Sequence, residues 1–207
     1  MKKFTNLHSI VTPFIEDDVN TDQIIPSEYL KDINADLSFG LFAYLRRDAY
    51  GVSQSSFVLE RSEFLNSKIL LVGKNFGCGS SREHAVWALQ EFRFECIIAL
   101  SFSDLFKNNC LKNGILTIEL EDNIFYKYKN MFGNYLEPKS LKVDLPNQSL
   151  CDTDGILLSE FHIDSNIKSM LIGGLDEIDL TLNEMVEITK WELGNNNYKK
   201  LLQKSIA

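Results

Sequence analysis

The fold of this chain is decided by one stretch, Gly73-Lys74-Asn75-Phe76-Gly77-Cys78-Gly79-Ser80-Ser81-Arg82-Glu83-His84-Ala85. An apolar run typical of a buried strand precedes it at 68–72, and apolar residues at helical spacing follow it over 85–92. Gly77 and Gly79 permit positive φ angles and a close approach of the backbone to a ligand. The stretch is therefore predicted to be a glycine-rich turn that joins a strand to a helix.

The end of this stretch has the features of an anion site. Ser80-x-x-Glu83 predicts a capping box, with Ser80 at the N-cap of the helix and Glu83 at its N3 position. A helix N-terminus presents unpaired N–H groups and partial positive charge, and Arg82 adds a planar fork that binds carboxylates. These features favour a carboxylate site, although turn formation and capping alone explain the same residue types.

Two common phosphate-binding motifs are excluded by the same residues. A Walker A loop requires Gly-Lys-Ser/Thr, which does not follow the glycines here. A dinucleotide fingerprint requires a third glycine at the position that Arg82 occupies.

Composition and charge narrow the class of protein. The 207 residues carry a formal charge of −8 and a pI near 4.9, which argues against a nucleic-acid or anionic-membrane surface. No apolar run approaches the roughly 20 residues of a membrane span, and the N-terminus has no apolar segment of the signal-peptide type. A cytoplasmic protein is predicted.

The four cysteines include no C-x-x-C pair, and their spacing fits neither a zinc site nor an iron–sulfur site. Cys96 and Cys110 lie in apolar segments and are predicted to be buried thiols. Cys78, inside the turn, is interpreted as a small packing residue, and Cys151 has no assigned role. We therefore expect this chain to bind no metal by itself.

Strands and helices alternate around the motif. Strands predicted at 68–72, 96–100 and 115–120 are separated by two helices, which indicates right-handed βαβ crossovers and a parallel sheet. Further strands are predicted at 8–14, 55–61, 141–145 and 155–161. Thr181-x-x-Glu184 predicts a second capping box, opening a helix that runs through Trp191 and ends near Asn195–Asn197. The chain is interpreted as one domain, 1–207, with a helical extension over about 181–207.

The motif over 75–85 resembles the signature of the small subunits of 3-isopropylmalate dehydratase, which are similar to the swivel domain of aconitase. Further stretches match this family in the same order along nearly the whole chain: 20–26, 39–42 with Arg46, 101–114 and 174–182. The resemblance implies an α/β fold, a three-layer swivelling β/β/α domain of the aconitase type, with a parallel βαβ core around residues 68–120.

The resemblance also implies an activity. It indicates a hydro-lyase that interconverts 2-isopropylmalate and 3-isopropylmalate in leucine biosynthesis by dehydration and rehydration. The enzyme is expected to be active only with a large subunit, which carries a [4Fe-4S] cluster, while this chain closes the site and binds no cofactor. Ser80 matches the catalytic base of the family, and five residues match substrate-binding positions: Ser81, Arg82, Asp22, Thr21 and Arg46.

Two alternatives remain open. The first is a related hydro-lyase acting on homoaconitate, citraconate or dimethylmalate, since the segment 29–32 that contains Lys31 lies where the family sets specificity. The second is a non-catalytic regulator that binds an anion or RNA through the glycine-rich turn, which the acidic pI disfavours. Ile167 stands where bacterial members often have a basic residue, so no role in partner contact is assigned to its helix.

Overall fold

The structure is a computed structural model that describes residues 1–31, 36–48 and 50–194. In these ranges, seven strands form a single mixed sheet in the order β4-β3-β2-β1-β5-β6-β7. The strands are β1 Asn6–Phe14, β2 Ile69–Val72, β3 Cys96–Ala99, β4 Leu116–Glu119, β5 Ser140–Asp144, β6 Ser149–Cys151 and β7 Leu157–Glu160.

Nine helices accompany the sheet in the described residues. They are α1 Thr21–Ile24, α2 Leu37–Gly40, α3 Ala43–Arg46, α4 Glu83–Glu91, α5 Asp104–Lys112, α6 Asp122–Phe132, α7 Ser165–Gly173, α8 Glu177–Asn183 and α9 Met185–Gly194. Shorter 3₁₀ turns occupy Ser27–Leu30, Val58–Glu60 and Ser62–Phe64.

One half of the sheet is parallel, and it confirms the predicted βαβ core. β1, β2, β3 and β4 pair in parallel, with α4 connecting β2 to β3 and α5 connecting β3 to β4. All four residues of β2 and of β3 are buried, as expected for strands covered on both faces. Because parallel strands end at the same edge, the loops after β1 and β2 lie side by side.

The other half of the sheet is antiparallel and begins at β1, which pairs with β5 on its second edge. β6 and β7 then extend this half as a meander. Predicted strands at 8–14, 141–145 and 155–161 are thus confirmed within a few residues. Pro13 lies inside β1 opposite Leu71, beyond the part of β1 that pairs with β5, so its missing N–H removes no bond from that antiparallel ladder.

Helices cover both faces of the sheet. On one face, Ile97 of β3 packs in a cluster with residues of α4 and α5 and with the segments that contain α1 to α3. On the other face, Ile98 of β3 packs with α6 and α7. Burial of Phe125, Tyr128 and Phe132 at spacings of three and four gives α6 its inward face. Neither α6 nor β6 was predicted from the sequence.

The strand predicted at 55–61 is wrong. This segment instead forms the 3₁₀ turn Val58–Glu60, entered by a turn in which Phe57 N donates to Gln54 O at 2.9 Å. Val58 and Leu59 are adjacent and both buried, at 9% and 1% exposed. In a strand at an exposed edge, neighbouring side chains point to opposite faces, so only one of Val58 and Leu59 would face the core. The turn buries both and therefore more apolar surface.

The capping box predicted at Thr181 is also wrong, because Thr181 lies inside α8. The capping box of this helix is formed by Asp176 and Asp179, whose carboxylates accept from each other's backbone N–H at 3.0 and 2.8 Å. A second helix, α9, begins at Met185. The predicted end at Asn195–Asn197, and the rest of the proposed extension, lie outside the described residues.

Candidate active site

The candidate site lies where the loops after β1 and β2 meet. The loop after β1 leads into α1, and the glycine-rich motif follows β2. Backbone hydrogen bonds join the two loops, from Thr21 N to Cys78 O at 2.9 Å and from Gly77 N to Val19 O at 2.8 Å. Residues far apart in the sequence are thereby held at one edge of the sheet.

Two glycines of the motif are required by its shape. Gly77 and Gly79 have φ angles of +76° and +90°, which side chains rarely allow. A Cβ added to Gly77 would lie 2.1 Å from Cγ of Phe106, a buried ring of α5. The predicted glycine-rich turn therefore exists, and α5 packs directly against its backbone.

Ser80 is exposed at this edge, and its hydroxyl pairs with that of Thr21. Thr21, only 1% exposed, donates from Oγ1 to the carbonyl oxygen of Ser80 at 2.9 Å, and the two hydroxyl oxygens lie 3.2 Å apart. Either hydroxyl can be the donor between these two oxygens. While Thr21 donates to the carbonyl oxygen, Ser80 can donate to Thr21; if Ser80 loses its proton, Thr21 can donate to Ser80 Oγ.

Ser80 is not the N-cap of the following helix, contrary to the prediction. α4 begins at Glu83 with Arg82 at the N-cap, and no side chain caps it. Ser80 is instead held by Thr21 and by a tight turn in which Arg82 N donates to Ser80 O at 2.8 Å. The helix N-terminus lies three residues beyond Ser80, and the influence of the helix dipole falls off within one turn.

Arg82 and Asp22, both predicted substrate-binding residues, form an ion pair across the two loops. Their side chains are 28% and 58% exposed, so solvent or a ligand can reach them. Asn20 caps α1, accepting from Gln23 N at 2.8 Å, while the Gln23 side chain accepts from Asn20 N at 2.8 Å. This capping box places Asp22 in the first turn of α1, facing Arg82.

Ser81 is exposed beside Ser80, and its hydroxyl lies 3.5 Å from the side-chain nitrogen of Asn109. Asn109 belongs to α5 and lines the same shallow depression as Thr21, Ser80 and Arg82. Asn109 was not among the predicted site residues. The available signal was its place in the stretch 101–114, which resembles the family.

Arg46 is not brought to this cluster. Its guanidinium donates to the Glu60 carboxylate and to the carbonyl oxygens of Ser38 and Leu41, and it lies 4.9 Å from the centre of the Phe92 ring. Burial acts to raise the pKa of Glu60, but hydrogen bonds from Ser53 and Arg46 outweigh it, so that pKa is lowered. None of these partners belongs to the glycine-rich motif, and substrate binding by Arg46 stays a prediction.

The four cysteines are free thiols. Cys96 and Cys110 are buried as predicted, and burial raises the pKa of both. Cys78 is half-buried in the motif, with Sγ 3.3 Å from the carbonyl oxygen of Asp18. Among the described residues, no group of three or more His, Cys, Asp or Glu side chains is arranged to hold a metal ion.

The fold and the site together define a domain of the aconitase C-terminal type. Residues 1–123 match the model of the Aconitase C-terminal domain family. The chain is also 42% identical, over the full length of both proteins, to the 3-isopropylmalate dehydratase small subunit of Methylobacterium radiotolerans. It therefore belongs to the family of 3-isopropylmalate dehydratase small subunits within this wider class.

Other comparisons agree with this placement. The small subunit of Methylorubrum populi is 44% identical over 89% of this chain and 91% of its own length. A solved structure of 3-isopropylmalate dehydratase from Methanocaldococcus jannaschii matches with a TM-score of 0.60, covering 89% of this chain and 99% of that one. Its sequence identity is 22%, so it supports the fold, which agrees with the predicted swivel-type α/β domain. In the described part of the chain, every helix is too short or too polar to cross a membrane.

Proposed function

We propose that this chain is the small subunit of a 3-isopropylmalate dehydratase, a hydro-lyase of leucine biosynthesis. With a large subunit it interconverts 2-isopropylmalate and 3-isopropylmalate by removing water and returning it to the neighbouring carbon. The observation that carries the proposal is the cluster at the ends of β1 and β2, where the exposed Ser80 is paired to Thr21 and Arg82 is paired to Asp22.

In this proposal Ser80 acts as an alkoxide: it takes the carbon-bound proton, becomes a neutral hydroxyl, and gives the proton back when water is returned to the neighbouring carbon. The Thr21 hydroxyl lies 3.2 Å from Ser80 Oγ and can donate to the alkoxide. A serine hydroxyl is a weaker acid than tyrosine, whose pKa is about 10, so the alkoxide requires closure by the large subunit, which removes water and strengthens electrostatic interactions. The isolated chain is therefore expected to be folded and inactive.

Arg82 binds a substrate carboxylate in the same proposal. A guanidinium has five N–H donors, and Asp22 accepts from one nitrogen, Nη1. The other donors are available for a second carboxylate in a paired geometry. Ser81, next to Arg82 and exposed, contributes a hydroxyl to the same substrate. Asp22 thus orients the arginine.

The departing hydroxide needs a Lewis acid, and we propose that a [4Fe-4S] cluster on the large subunit supplies it. The cysteines of this chain do not fit such a cluster. Cys96 and Cys110 are fully buried in different clusters of the core, and Cys78 contacts the Asp18 carbonyl. The partners that we propose are thus a cluster-bearing large subunit and a small hydroxy-dicarboxylate, in the cytoplasm.

Reconstitution tests the proposal. The chain is mixed with the cognate large subunit under anaerobic conditions, and turnover is measured with 2-isopropylmalate, homoaconitate, citraconate and dimethylmalate. Turnover of 2-isopropylmalate by the pair, and by neither chain alone, is the expected result. If the pair prefers another of these acids, that acid is the substrate and the proposed one is wrong. If the chain purifies with RNA and without a large subunit, the proposed activity is wrong.

A further inference from the structure

One face of α5 contacts the glycine-rich motif at three positions. Phe106 packs against Gly77, and Asn109 approaches Ser81. Asn113, the C-cap residue of α5, reaches Glu83 at the end. These three α5 residues are three and four positions apart, so they lie on the same side of the helix.

The side-chain amide of Asn113 is the centre of this contact. Its Nδ2 donates to Glu83 Oε1 at 3.0 Å and to the carbonyl oxygen of Asn109 at 2.9 Å. Its Oδ1 accepts from Trp87 Nε1 at 3.1 Å. An indole N–H only donates, and an ionised carboxylate and a carbonyl only accept, so the three partners determine which way the amide points.

These bonds connect the first two turns of α4 to the last turn of α5. Glu83 is the first residue of α4 and directly follows Ser80-Ser81-Arg82, while Trp87 lies one turn later. Thr21 holds the other end of this tripeptide through the Ser80 carbonyl. Hydrogen bonds thus hold both ends of the tripeptide: Thr21 of α1 bonds to Ser80, and Asn113 bonds to Glu83, which follows Arg82.

We infer that Asn113 is a positioning residue that holds the Ser80-Ser81-Arg82 turn in its reactive geometry through Glu83 and Asn109. It contacts none of the proposed substrate-binding groups and takes no part in proton transfer. The inference rests on the proposed function and adds a residue that acts on the reaction through others.

The sharpest test is Asn113→Asp. The new side chain keeps the shape of asparagine and the acceptor for Trp87, but it places a charged oxygen opposite Glu83 and the Asn109 carbonyl. We expect kcat of the assembled enzyme to fall about tenfold or more, as when a hydrogen bond to a charged group is lost. Glu83→Gln alone keeps its Oε1 acceptor for the Asn113 amide, and we expect kcat to stay within about twofold of the unaltered enzyme.

The double variant Asn113→Asp with Glu83→Gln reverses the polarity of the pair, because the glutamine amide donates to the aspartate carboxylate. We expect the double variant to recover at least half of the decrease in log kcat that Asn113→Asp causes. Melting temperature and affinity for the large subunit are measured for all four proteins, since a purely structural role would change these together with kcat. Unaltered kcat in Asn113→Asp, or a loss that Glu83→Gln does not relieve, would overturn the inference.

Asn113→Ala serves if Asn113→Asp does not fold, because it removes the amide that bonds to Glu83 and to the Asn109 carbonyl without placing a charge there. A lowered kcat is expected for Asn113→Ala, and an unaltered kcat overturns the inference. Hydrogen exchange over residues 79–84 of the full chain gives a readout independent of activity. Exchange is expected to be faster in Asn113→Asp and restored in the double variant, and unchanged exchange overturns the inference even if the reconstituted pair has no dehydratase activity.

Discussion

Thr21 and Ser80 are 59 residues apart in the sequence, yet the Thr21 hydroxyl donates to the Ser80 carbonyl oxygen at 2.9 Å and lies 3.2 Å from the Ser80 hydroxyl. Thr21 is buried and Ser80 is exposed. A buried hydroxyl therefore holds the backbone of an exposed residue and also pairs with its hydroxyl.

Thr21→Val removes this hydroxyl and keeps the shape of the side chain. The Ser80 carbonyl loses a donor, and the Ser80 hydroxyl is free to rotate, so kcat of the assembled enzyme is expected to fall about tenfold or more. Thr21→Ser is the matched control, because it keeps the hydroxyl. Steady-state kcat and KM with 2-isopropylmalate check the prediction, and equal kcat in both variants would contradict it.

Ser80→Ala removes the proposed base. Loss of general base catalysis typically costs 10²–10⁴-fold, so kcat is expected to fall by roughly that factor with little change in the melting temperature, since Ser80 is exposed. Ser81→Ala, one residue along and equally exposed, is expected to raise KM more than it lowers kcat. A Ser80→Ala enzyme with nearly normal kcat would remove Ser80 from the role of base.

Gly77→Ala and Gly155→Ala, measured together, separate the cost of a positive φ angle from the cost of a steric clash. Its Cβ would meet the Phe106 ring at 2.1 Å, in addition to the cost of a positive φ angle. We expect destabilisation of about 2–5 kcal/mol, from about 1–2 for φ and 1–3 for overpacking. Gly155→Ala has a similar φ of +85° with open space around its Cβ, so it should show the φ cost alone. Urea unfolding of both variants measures the difference, and equal losses would exclude a steric role for Phe106.

Glu60 makes the stability of the segment around Arg46 dependent on pH. Its pKa in the folded chain lies below the ordinary value of 4.5, although burial opposes this, because Ser53 and Arg46 donate hydrogen bonds to it. A lowered pKa gives stability that is present above pH 4.5 and is lost as the pH falls through the folded-state value. Glu60→Gln should therefore lower the unfolding free energy at pH 7 and flatten its decline between about pH 5 and 3.

The control for this prediction is Glu187→Gln, which alters an ion pair with Lys190 whose side chains are 66% and 71% exposed. Exposed pairs of this kind contribute little, so the pH profile of the control should follow that of the unaltered chain. A Glu60→Gln profile parallel to that of the unaltered chain at every pH would show that Glu60 titrates identically in the folded and unfolded states.

Local sequence was sufficient for the parallel core and for the shape of the motif. The continuous apolar segments at β2 and β3 are buried strands, and Gly77 and Gly79 adopt the positive φ angles that their lack of a side chain suggested. Local sequence failed where two local patterns competed. Ser80-x-x-Glu83 and Thr181-x-x-Glu184 both match a capping box. Ser80, however, pairs with Thr21, and the helix that contains Thr181, α8, is capped by Asp176.

By itself the sequence determined that this chain contains a parallel βαβ core with a glycine-rich turn, and that Ser80, Ser81 and Arg82 lie in that turn. These features depend on apolar periodicity and glycine content, which act over a few residues. Only the tertiary structure decided the pairing of Ser80 with Thr21, of Arg82 with Asp22 and of Arg46 with Glu60. The physical reason is that such hydrogen bonds form between loops and turns that meet only after the sheet and the packing of its helices have brought them together.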